Sequence, residues 1–88
     1  MADYIARINV MLKPLVNDPQ GLAVRDGLQT LGFAGVRGVR VGKRIEVTVE
    51  ADSAAAAETA VRSMCEQLLS NPVIEQFAFE VTEVSAAR

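Results

Sequence analysis

Few side chains in this sequence can do covalent or acid–base chemistry, and those few do not assemble. Cys65 is the single thiol, and there is no histidine, the usual proton carrier near neutral pH. A reactive cysteine needs a base or a cation to hold it as thiolate. Cys65 falls instead on the apolar stripe of a helical segment, where a free thiol behaves as a small hydrophobe. One cysteine also excludes an internal disulfide and any multi-cysteine zinc site. Asp18, Asp26, Glu46, Glu50 and Asp52 are scattered, without the spacing of a cation-binding loop. Gly21, Gly27 and Gly32 match neither the dinucleotide fingerprint nor the P-loop. Arg37, Arg40, Lys43 and Arg44 are denser, four of the nine basic residues within a short span. Such a cluster suits an acidic partner or a phosphate, and equally a solvated strand face. The residues therefore predict no catalytic, cofactor-binding or metal-ligating group on this chain.

The elements that would carry these residues are legible from periodicity. From Tyr4 to Lys13 the sequence alternates, with Tyr4, Ala6, Ile8, Val10 and Leu12 on one face, until Pro14 ends the ladder. Ile5 and Met11 break the polarity of the other face. Asp18-Pro19 reads as a helix start, an acceptor for an orphan N–H followed by a residue suited to the first turn. Val24, Leu28 and Leu31 then line one stripe, with Ala23 and Gly27 beside them. Gly27 would let this helix approach a sheet closely, and Gly32 sits where a left-handed cap belongs. Residues 36–50 alternate around Gly42 and predict either one bent strand or a hairpin with a three-residue loop. Asp52-Ser53 caps a second helix over 54–70 with Ala57, Val61, Met64, Cys65 and Leu68 as its stripe. Asn71-Pro72 stops it. Phe77, Phe79 and Val81 alternate in a last strand.

This order predicts an α+β two-layer sandwich, ferredoxin-like in pattern: βα(ββ)αβ, with a long bent or split middle strand and two helices on one sheet face. Its 88 residues make one domain, 1–88, with residues 85–88 expected to fray. The other sheet face, carrying Ile5 and Met11, would lie open and invite a partner or a second copy. Nine basic against eleven acidic residues argue against nucleic acid as a partner. No run is long and apolar enough for a membrane, and the start resembles no signal peptide, so the cytoplasm is the expected location.

Three segments in register carry a resemblance over nearly the whole chain. They are Leu12-Lys13-Pro14 with Asp18-Pro19-Gln20-Gly21, then Val39-Arg40-Val41-Gly42-Lys43, then Leu69-Ser70-Asn71-Pro72-Val73-Ile74-Glu75. Together they resemble the PurS family, the small subunits of phosphoribosylformylglycinamidine (FGAM) synthase. The resemblance implies a place in the fourth step of purine biosynthesis, as a non-catalytic subunit that bridges a glutaminase and a synthetase and helps ammonia pass between them. It implies no cofactor on this chain, with ATP, Mg and glutamine used by the partner subunits, and self-association as a dimer or dimer of dimers. Pro14, Asp18, Pro19, Gln20, Gly21, Gly42, Asn71 and Pro72 match family motif positions with structural duties. Lys13, Arg40, Lys43 and Arg44 are the candidates for partner contact. Two other functions compete: a ferredoxin-like ligand-sensing module, and an RNA binder using aromatics on the open sheet face.

Overall fold

In the computed structural model, residues 1–84 are described; the expected fraying of residues 85–88 lies outside them. The chain forms β1 (Ala2–Leu12), α1 (Pro19–Thr30), β2 (Gly42–Ala51), α2 (Ala54–Met64) with a π-helical turn over Cys65–Leu69, and β3 (Glu75–Glu83). The sheet has the order β2-β1-β3, antiparallel throughout. The α+β class and the alternation of strands and helices are as expected.

The strand register explains the core. In β1, Tyr4, Ala6, Ile8 and Val10 are buried. Ala6 lies between Val47 and Val81, and Ile8 between Ile45 and Phe79. Across this face runs α2, burying Ala57, Val61 and Cys65 completely. Burial removes the charged form's hydration and pushes the Cys65 thiol above its ordinary range, with Arg62 opposing and Glu66 adding to the shift. Ser70 closes the π turn, donating from both its N–H and its hydroxyl to the Cys65 carbonyl. On the opposite face, Arg7 lies between Glu46 and Glu80, and Ile5 between Thr48 and Thr82. That face is mostly polar, so the open apolar surface expected there is small.

Two features differ from the sequence expectation. The middle stretch is neither a hairpin nor one long strand. Residues 36–41 are irregular, and β2 begins at Gly42. The reason is the partner strand: Met11↔Gly42 is the last pair before β1 ends ahead of Pro14, so residues before Gly42 have no ladder to join. Gly42 is needed at that point, because a Cβ there would collide with the Val10 carbonyl and the Met11 side chain.

The second difference is α1. It does not lie beside α2 on the sheet, and its only buried residue is Gly21. Three strands about 4.8 Å apart make a face roughly as wide as one helix of about 10 Å diameter, so α2 alone covers it. Gly27, read from sequence as a close-approach position, has open space where a side chain would be. Leu31 and Phe33 are 75% and 58% exposed, and Val24 is exposed too. The radius of gyration is 17.0 Å, against about 12 Å for a compact domain of this length.

Candidate functional site

All three sequence motifs meet at one end of the sheet, where β1 ends, β2 begins and β3 begins. Asp18 is the centre of the meeting. One carboxylate oxygen accepts the Gly21 N–H at 2.9 Å, capping α1 as expected. The other accepts the Val41 N–H at 3.0 Å, which ties the helix start to the segment entering β2. The Val41 and Gly21 bonds hold the Asp18 carboxyl below its usual range; burial opposes this, and Arg40 reinforces it. A Cβ on Gly21 would meet both the Val39 carbonyl and the Asp18 carboxylate, so a glycine belongs there. Pro19 fills the first turn of α1 without a wasted donor.

Arg40 completes this knot. Its Nε lies 3.6 Å from Asp18 Oδ2. Its Nη2 donates to the Leu12 carbonyl and, at 3.3 Å, to the Lys13 carbonyl. A charge that looked free in the sequence is thus occupied in tying the end of β1 to the loop before β2.

Beside it, the turn after α2 is held by Asn71 and Glu75. Asn71 Oδ1 accepts the Val73 N–H at 3.1 Å, and the Asn71 N–H donates to Glu75 Oε1 at 2.7 Å. Pro72 follows in this turn. The Lys13 N–H donates to the Ile74 carbonyl at 2.8 Å, joining the turn to the end of β1. Glu75 Oε2 also lies 3.9 Å from Lys43 Nζ. Glu75 was not singled out from sequence. Its signal was only its place after the Asn-Pro turn, and its duty appears once β1 brings β2 and β3 together.

The basic cluster is therefore divided. Arg40 and Lys43 sit at the knot, and Lys43 is more than half exposed. Arg44 points to the opposite face, opposite Asn9 in register and 3.5 Å from Glu46. Arg37 and Lys13 are exposed in the connecting segments. A shallow cleft of about 300 Å³ opens between the tied elements, lined by Leu12, Gln20, Val41, Gly42, Lys43 and Glu75 among others. Its one cation, Lys43, and one carboxylate, Glu75, face each other, and no hydroxyl or thiol side chain lines it. Among the described residues no three His, Cys, Asp or Glu side chains come together as a ligand set. No helix among them is long and apolar enough to cross a membrane.

Comparison with known proteins agrees with this geometry. The family model described as PurS, phosphoribosylformylglycinamidine (FGAM) synthase, matches residues 5–83. The subunit PurS of that synthase from Synechocystis is 51% identical over 84 residues, covering 96% of this chain and 84% of the relative. The fold is similar to the crystal structure of Methanocaldococcus jannaschii PurS, with TM-score 0.84 and 30% identity over 93% of this chain and 99% of that one. It is also similar to a chain in the structure of PurLQS from Thermotoga maritima, with TM-score 0.82 and 34% identity over 96% and 100% of the two chains. With its motifs gathered in one knot and its match running from the first strand to the last, this chain belongs to the PurS family of FGAM synthase subunits.

Proposed function

We propose that this chain is a non-catalytic assembly subunit of FGAM synthase, bridging the glutaminase and synthetase subunits and helping ammonia pass between them. The observation that carries this reading is its likeness, along nearly its whole length, to a chain of the PurLQS structure. The composition supports it, since a chain with no histidine and one buried thiol has surface to offer rather than chemistry. In this reading ATP, Mg and glutamine are bound by the partner subunits. The chain works as one domain, 1–88, in the cytoplasm, and self-associates as a dimer or dimer of dimers.

Among the basic residues, Lys43 and Arg44 are the best placed for a partner, followed by Lys13. Arg40 serves the interface by holding the knot in shape. The motif residues Pro14, Asp18, Pro19, Gln20, Gly21, Gly42, Asn71 and Pro72 act in the same structural way.

The test is reconstitution of glutamine-dependent FGAM synthesis from purified synthetase and glutaminase, with and without this chain. The reading expects complex formation and glutamine-dependent product only when the chain is present. Equal activity without it overturns the reading. Lys43→Glu is expected to weaken the complex by roughly tenfold in a titration by light scattering, because it reverses the charge of the one exposed cation lining the cleft.

A further inference from the structure

Two turns lie side by side at the knot end of the sheet, and each carries an apolar residue at its tip. In the first, the Val16 N–H donates to the Lys13 carbonyl at 2.9 Å, with Pro14 second and Leu15 third. In the second, the Ile74 N–H donates to the Asn71 carbonyl at 3.1 Å, with Pro72 second and Val73 third. The bond from the Lys13 N–H to the Ile74 carbonyl joins the two. Turn tips usually hold small or polar residues. Here Leu15 is 100% exposed and Val73 77%, so neither contributes to the core of its own chain.

The platform is stiff. Each proline fixes one backbone angle of its turn. Asn71 Oδ1 holds the Val73 N–H, and Arg40 holds the Leu12 and Lys13 carbonyls. Residues already ordered before a partner arrives lose little freedom when it covers them.

The charge around the turns has one sign. Lys13 opens the first turn, Arg40 is bonded to it, and Lys43 pairs with Glu75 just after the second. The two carboxylates at this end are largely covered and accept backbone N–H groups, Asp18 from Gly21 and Val41, and Glu75 from Asn71. The exposed charge is therefore positive, on a chain whose net charge is −2. The acidic excess lies at the other end of the sheet, where Asp3 faces Glu50 in register, Glu83 ends β3 and Asp52 follows β2.

We propose that the paired turns dock a partner subunit through an apolar surface edged with carboxylates, with Leu15 and Val73 as anchors and Lys13, Arg40 and Lys43 as the cationic rim. An apolar centre inside a charged rim is the usual make-up of a protein interface, and complementary charge selects the partner. A second copy offers carboxylates only at the far end of its sheet. Copies joined basic end to acidic end would add without closing, so the occupant is a different chain.

The inference rests on the proposed subunit role, and the experiment separates the two. The wild-type chain and a chain carrying Leu15→Asp and Val73→Asp are titrated calorimetrically onto the purified synthetase and glutaminase subunits, at low and at raised salt. Both positions are exposed, so the variant is expected to keep the melting temperature and the solution mass of the wild type. The expected result is binding to one subunit weakened by roughly tenfold or more, and wild-type binding that weakens with salt. Leu15→Met is expected to bind within about twofold of wild type, since it keeps the apolar tip. Equal binding by the wild type and the double variant overturns the docking surface and leaves the subunit role standing. Wild-type binding indifferent to salt overturns the acidic partner. A lower solution mass for the double variant alone assigns the turns to a second copy and overturns the proposal. Should the double variant melt lower, Lys13→Glu decides: severalfold weaker binding at low salt supports the surface, and unchanged binding overturns it. A wild-type chain that binds neither subunit overturns the subunit role and the surface together.

Discussion

α1 and α2 are helices of nearly equal length, twelve and eleven residues, each begun by a side-chain cap and each amphipathic. They are finished in opposite ways. The α2 stripe of Ala57, Val61 and Cys65 is wholly buried against the sheet of its own chain. The α1 stripe is not. The difference teaches that amphipathic periodicity marks a face suited to burial without specifying whether the chain's own sheet covers it. The width of the sheet decides that: three strands accommodate one helix, and the second must find its place elsewhere.

The largest expected effect sets the two regions directly against each other. Ile8→Ala removes a fully buried side chain beneath α2 and should cost about 2–5 kcal/mol in denaturant unfolding. Leu31→Ala in α1 should change the stability of the separated chain by less than about 0.5 kcal/mol. Comparable losses from the two would mean that α1 packs within its own chain.

A pair of glycines gives a smaller contrast of opposite sign. Gly42→Ala forces a methyl group against the Val10 carbonyl and should destabilise by about 1–3 kcal/mol. Gly27→Ala should stabilise the separated chain by about 0.5–1 kcal/mol, since the new methyl meets nothing there. Thermal unfolding at low concentration checks both.

The knot supplies a pH dependence in the acid range. Asp18 is held below 3.8, its ordinary value, first by the Val41 N–H and then by the Gly21 N–H. A carboxyl lowered in the folded state contributes stability that is complete above its unfolded value and is lost as pH falls through the folded one. Melting temperature followed from about pH 6 to about pH 2 should therefore fall in the acid range, and Asp18→Asn should flatten that fall. An unchanged slope in the variant would remove Asp18 from this role.

The smallest effect lies on the charged flank of α2. Arg62→Ala should cost about 0.5 kcal/mol by uncovering the Phe79 ring, and should leave the mass in solution unchanged.

The parts of the fold that depend on neighbours in sequence were legible. The alternation of β1, the caps at Asp18 and Ser53, the left-handed Gly32 and the burial of Cys65 all appear as read. What was not legible depends on where another strand stops. Residues 36–41 alternate like a strand, but β1 has already ended, so they have nothing to pair with. Arg40 looked like a free cation because its acceptors, the Leu12 and Lys13 carbonyls and Asp18, are more than twenty residues away. Glu75 was hidden for the same reason, since its ion-pair partner comes from β2.

The contrast between a helix buried on its own sheet and one left exposed is read most directly by hydrogen exchange in dilute solution. The α2 amides should be protected, and the α1 amides beyond the capped first turn should exchange readily. Protection of α1 equal to that of α2 would contradict the account.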